Sequence, residues 1–175
     1  MAKIKLIRYP TAEDWHLAET IARATMGLAP KDTPPAESWK RRILAARHSP
    51  IRELKFVFLL EDVPYWVSVH LCRHIHAQPY VLSQRNDRQS KYDRRKAPQD
   101  SPVSMYWSMN AEELMTVANK RLCMKASTET RLLVAETCRI VEQACPEFAG
   151  NLIPMCEYHG GVCHEMQPCP KGETV

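Results

Sequence analysis

The chain has no apolar run approaching the roughly 18–20 residues that a membrane-crossing helix needs, and its opening stretch, MAKIKLIRYP, has no long apolar core of the secretory type. A cytoplasmic protein is therefore expected. Internal repeats and low-complexity segments are missing too. Cysteine pairing arithmetic fails: seven is odd, and Cys72, Cys123, Cys138 and Cys145 fall in segments that read as helical, so reduced thiols fit better than a disulfide framework. A strong overall charge is also lacking. The net value is only +4, and a surface that coats nucleic acid is not expected from it.

What is present is enough for one core. With 175 residues, 45% of them apolar, the chain predicts a single domain over 1–150 followed by a short tail over 151–175. The basic character is focal. Residues 85–96 hold six Lys or Arg against two Asp, an excess equal to that of the whole chain, which suits a phosphate-bearing ligand or a solvated loop.

Read in order, IKLIRY alternates like a strand, and Thr11-Ala-Glu-Asp opens a helix that runs to about Met26, where Gly27 ends it. A second helix is predicted from Pro35 to about His48, because Pro50 disfavours helical geometry at Ser49. ELKFVFLLED reads as a strand, and Asp62-Val63-Pro64 as the entry of a third helix that continues through YWVSVHLCRHIHA. On that helix His70, Arg73, His74 and Ala77 share one face, either as a ligand-binding face or as helix-terminal capping. From Gln78 to Met109 no regular structure is predicted, given Pro79, Pro98, Pro102 and the dense charge. Asn110 caps a helix over NAEELMTVANKRLCMKA, whose inward stripe of Leu114, Val117 and Ala118 also takes in Arg121. An arginine there needs an anion, a carboxylate partner or the rim of a cleft. A last helix spans about Ser127 to Ala144, with Leu133, Ile140, Val141 and Ala144 inward, and Pro146 ends it.

These residues resemble a known family. RHIHAQPYVLS, residues 73–83, is similar to the Arg-His-Arg, seven residues, Ser signature of flavin-dependent thymidylate synthases, with Ile75 in place of the second arginine and Ser83-Gln84-Arg85 matching its Ser-x-Arg continuation. HSPIRELKFVFLLEDVPYWVSVHLCRH resembles the family's His-Ser/Thr-Pro segment, strand and motif-bearing helix. Asn110, Arg121, Ala126, Glu129 and Arg131 keep its downstream spacing, with Lys120 and Ser127 as departures, so the likeness spans residues 3–145. It implies an α+β fold, helices packed with a small, mostly antiparallel sheet, assembled as a homotetramer that binds FAD and dUMP. It also implies methylenetetrahydrofolate as carbon donor, NADPH as reductant and dTMP as product. By that resemblance Arg121 promotes ionisation at uracil N3, and a guanidinium suits the task because it stays charged at neutral pH. Arg121 and Ser83 are the catalytic candidates, Ser83 holding nucleotide more readily than attacking it, since it has no evident base. His70, Arg73, Leu82, Ser83, Gln84, Arg85 and Arg121 are the substrate-binding set; Ser49, Arg73, His74, Asn110, Ala111 and Glu112 are the flavin set. Val81, His70, Ile75 and Asn86 differ from the family's usual Glu, Gln, Arg and aromatic, and the segment between Arg85 and Asn110 is short, as in a compact, phage-type branch with a Cys-containing tail. Two alternatives therefore stand beside dTMP formation: another C5 modification, namely hydroxymethylation or UMP methylation, and a nucleotide- or nucleic-acid-binding module without catalysis.

The tail, MCEYHGGVCHEMQPC, places Cys156, Cys163 and Cys169 beside His159 and His164. Its spacing is not the usual C-x2-C knuckle, but thiolates and imidazoles select zinc or an iron–sulfur cluster over magnesium or calcium. Cys123 completes a four-sulfur set if the tail folds back; plain reduced thiols and a redox pair are the other readings.

Overall fold

The computed structural model describes residues 2–85, 87–88 and 93–169, with the backbone alone at 173–174. Asn86, together with Lys91 and Tyr92 in the basic stretch, lies outside the described residues.

The sequence builds a four-stranded antiparallel sheet in the order β1-β2-β4-β3. These are β1 Lys3–Arg8, β2 Lys55–Pro64, β3 Gln78–Val81 and β4 Pro102–Asn110. Alternation writes one apolar face: Phe56, Phe58, Leu60 and Val63 from β2, with Val103, Met105, Trp107 and Met109 from β4, are buried. Phe58 stands opposite Trp107 across the ladder. Helices α1 Ala12–Ala24, α2 Glu37–Ala45, α3 Tyr65–Cys72, α4 Ala111–Arg121 and α5 Thr128–Ala144 complete the core with Trp15, Leu44, Leu71, Leu114 and Val141. On the opposite face of the sheet Tyr80 and Tyr106, cross-strand partners, remain exposed. The α+β class expected from the sequence is the one observed.

Helix ends follow local chemistry. Thr11 and Asp14 form a capping box at α1, and Gly27, at φ 69°, lets the amide of Leu28 reach back to the Arg23 carbonyl at 3.0 Å. The second helix stops at Ala45 instead of His48, because Arg47 turns left-handed at φ 50°. Its guanidinium lies 4.0 Å from the Tyr158 ring and donates to Asn119 Oδ1 at 2.7 Å, contacts that offset the backbone cost. A 3-10 turn, Ser49–Glu53, then begins with Pro50 in its first turn.

Five expectations are corrected. Helix α3 starts at Tyr65, not at Asp62, because Val63 and Pro64 still pair with Val103 and Pro102 after a bulge at which Asp62 takes φ 58°. It also ends at Cys72, so Arg73 is its C-cap and His74 and Ala77 lie beyond it. The stretch from 78 to 109, expected to be irregular, contains β3 and β4, which pair with each other; β3 is an edge strand, where Pro79 is tolerated. Finally, α4 closes at Arg121, leaving Cys123 in the following turn, and Ala144 at the end of α5 is exposed.

Trp107→Ala should destabilise the fold by about 3–5 kcal/mol, read as a lower urea midpoint at unchanged slope. Lys3→Ala removes only a surface ion pair to Asp62 and should stay within about 0.5 kcal/mol of the parent.

Candidate active site

Helix α4 positions the candidate residues at both of its ends, which its length separates by about 15 Å. At its C-terminal end Arg121 is half-buried. Its Nε donates to His74 Nε2 at 2.9 Å and its Nη2 donates to the His70 carbonyl at 2.8 Å. Both acceptors are uncharged, and among the described residues no carboxylate pairs with this guanidinium. The carboxylate partner considered for it is thus replaced by an imidazole and a peptide oxygen. Burial lowers its proton affinity and the charge of Arg73, at the C-cap of α3, lowers it further, yet a guanidinium remains cationic at neutral pH.

His74 is 8% exposed and sits between two partners. Arg121 Nε can only donate, so His74 Nε2 accepts and the ring proton belongs on Nδ1. That nitrogen lies 3.3 Å from Glu113 Oε1, on the first turn of α4. Burial, and then Arg121, push the His74 pKa down to about 4. The contact with Glu113 is therefore one between a neutral imidazole and an acid group. Glu113 itself, 5% exposed, is pushed up, chiefly by burial, with His76 opposing and Glu112 adding to the rise. Glu113 is the member of this relay that the sequence reading missed. The available signal was spacing: Glu113, Val117 and Arg121 fall at i, i+4 and i+8 of one helix.

His70, on α3, is half-buried, with Nδ1 3.2 Å from Thr130 Oγ1 and its ring edge-on to Trp66. Arg73 is exposed. The structure thus brings together His70, His74 and Arg121, with Arg73 nearby. Leu82, Ser83, Gln84 and Arg85 follow β3: the Leu82 amide donates to the Ser104 carbonyl at 2.8 Å, and Ser83 Oγ accepts from the Arg85 amide at 3.3 Å. The Arg85 side chain forms a fork with Asp87 at 2.9 and 2.6 Å, an exposed pairing that a phosphate group would have to replace.

Of the flavin candidates, Asn110, Ala111 and Glu112 stand at the other end of α4, whereas Arg73 and His74 lie with Arg121. Asn110 Oδ1 caps the helix by accepting from the Glu113 amide at 2.9 Å, and the Ala111 amide donates to the Leu54 carbonyl at 2.8 Å. Glu112 is gripped by Arg52 at 2.6 and 3.2 Å. Two helix-terminal amides are thus already engaged, and the exposed cation at this end is Arg52, a residue the motif reading did not single out. Ser49 is exposed beside a cavity of about 420 Å³ that Trp39 and Ile43 of α2 also line.

Residues 94–147, which carry β4, α4 and α5, match the family model described as thymidylate synthase complementing protein. No curated protein matches the sequence. Among solved structures, the fold is similar to thymidylate synthase X from Helicobacter pylori, solved with FAD and dUMP, at 14% identity and TM-score 0.68, covering 87% of this chain and 99% of that one. It is similar as well to the UMP/dUMP methylase PolB from Streptomyces cacaoi, solved with 5-Br dUMP, at 14% identity and TM-score 0.67, covering 87% and 97%.

With its pKa lowered from the ordinary 6.5, His74 contributes stability that is complete above pH 6.5 and lost as the pH falls through about 4. Glu113, raised above 4.5, runs the other way: its contribution is present below 4.5 and lost as the pH rises. The unfolding free-energy gap between the parent and His74→Gln should therefore be widest near pH 7 and narrow towards pH 4. Parallel stability profiles would contradict a neutral His74.

The chain has the fold of thymidylate synthase X, and the matched family model covers Asn110, Arg121, Ala126, Glu129 and Arg131 of the motif reading but not the signature at residues 73–83.

Proposed function

We propose that this protein is a flavin-dependent thymidylate synthase-like methyltransferase that converts dUMP to dTMP, taking its carbon from methylenetetrahydrofolate and its reducing equivalents from NADPH. The observation that carries this reading is Arg121: a half-buried cation held by two neutral acceptors keeps its charge for a third, anionic group. Aimed at a uracil ring, its N–H groups favour the form that has lost the N3 proton, and the displaced electron density makes C5 nucleophilic. No protein thiol is required for that activation. Ser83 and Gln84 orient the nucleotide, Arg85 exchanges Asp87 for its phosphate, and His70, Arg73 and Leu82 border the ring and sugar.

FAD, when bound, supplies the hydride chemistry. The residues fit such a group in charge: Arg52 and Arg73 are exposed cations at the start of α4 and the end of α3, suited to a diphosphate. Ser49, Arg73, His74, Asn110, Ala111 and Glu112 complete the proposed flavin contacts. The roughly 15 Å between the two ends of α4 calls for an extended ligand or for a neighbouring copy. Exposed Ile75, Tyr80, Leu82 and Tyr106 around the substrate segment support assembly as a homotetramer in which subunits complete each other's sites.

The ribonucleotide reading is tested by the same assay. Purified protein given FAD should turn yellow and release tritium from 5-tritiated dUMP in the presence of methylenetetrahydrofolate and NADPH. Arg121→Ala should lower that rate by about 100-fold or more, and Arg121→Lys should not restore it. Tritium release only from UMP would move the product to a ribonucleotide. Colourless protein that takes up no FAD would overturn the proposal.

A further inference from the structure

The tail holds a second cluster that the pyrimidine chemistry does not use. Helix α6, Met155–Tyr158, and a two-residue strand, β5 Val162–Cys163, paired in parallel with β6 Glu173–Thr174, make up its regular structure among the described residues. Gly160 and Gly161, at φ 68° and 98°, turn the chain between Cys156 and Cys163. The segment does fold back: Asn119 Nδ2 donates to the Ile153 carbonyl at 2.6 Å, and Tyr158 stacks under Arg47.

From Ile153 to Cys169 no residue is buried. A segment this short without apolar burial needs another source of cohesion. The chain alternates exposed turns with half-buried positions, and Cys156, Cys163 and Cys169 all fall at half-buried ones. Together with Cys123, just past the end of α4, they line one cavity of about 680 Å³, which His159 and His164 also line. Those two rings stand edge to face, 4.6 Å apart. Four thiols from four separate places in the chain thus face a common space, whereas Cys138 and Cys145 are packed in the core with pKa values pushed by burial to about 12.

We propose that Cys123, Cys156, Cys163 and Cys169 form a thiolate site for Zn²⁺ that fastens the tail to the end of α4. Thiolates select such an ion over magnesium or calcium. Among the described residues no three His, Cys, Asp or Glu side chains stand at the spacing that holds an ion. Capture therefore draws the turns of residues 156–169 inward, the thiols giving up their protons as the ion is bound, so that metal binding and tail closure are one equilibrium.

The test uses the full chain, stripped with a chelator under reductant and titrated with Co²⁺. The expected result is saturation at a single ion per chain, with thiolate-to-cobalt charge transfer and the intense visible bands of tetrahedral sulfur coordination, both abolished by added Zn²⁺. Zn²⁺ should also shield these four thiols from alkylation, read by peptide mass. Cys163→Ser combined with Cys169→Ser should remove the spectrum, and Cys72→Ser, an exposed thiol on α3, should leave it intact. Flavin uptake measured on the same samples separates failure of this site from failure of the enzymatic reading. The proposal is overturned by an absent cobalt spectrum with all thiols reduced, by a spectrum that survives the double substitution, by a disulfide among these cysteines, or by iron with labile sulfide in the isolated protein.

Discussion

A guanidinium at the end of α4, neutralised by nothing stronger than an imidazole nitrogen and a peptide oxygen, is the feature on which the rest of the site depends. Leaving such a charge half-buried and without an anion costs several kcal/mol, and Arg73 adds to that cost instead of relieving it. The fold meets the cost through position. Asn110 fixes the start of α4, burial of Leu114, Val117 and Ala118 fixes its rotation, and the turn after α3 places His74 between Glu113 and Arg121. Glu113 then orients the imidazole so that its lone pair faces Arg121.

Helix α4 is consequently more than a packing element. Along its length it meets the Leu54 carbonyl, Arg52, His74, the Ile153 carbonyl and the His70 carbonyl in turn. It therefore connects the 3-10 turn that precedes β2, the helix that bears the histidines, and the tail. A change in how the tail closes on Cys123 acts two residues from Arg121, which gives the proposed metal site a direct mechanical route to the proposed active site.

Much of this was legible in the sequence where the signal is local. Thr11, Gly27, Asn110 and Pro146 mark helix ends by their own chemistry, and Arg121 announced itself by falling on an apolar stripe. The failures are non-local. Val63 and Pro64 read as a helix entry because their β-partners, Val103 and Pro102, are about forty residues away, and only pairing across that loop keeps them extended. The alternation of Val103, Met105, Trp107 and Met109 was present to be read, but neighbouring prolines and charges outweighed it. Glu113 escaped notice because a glutamate in a first helical turn ordinarily serves the helix dipole; its role exists only once His74 is folded against it.

The most direct measurement is the protonation state of His74 in solution, read from the imidazole nitrogen shifts of ¹⁵N-labelled protein. The account predicts a neutral ring at pH 7 with its proton on Nδ1 and a bare Nε2 that accepts from Arg121. A doubly protonated ring, or a proton on Nε2, would contradict it, because Arg121 would then have no acceptor there and its free charge would need another explanation.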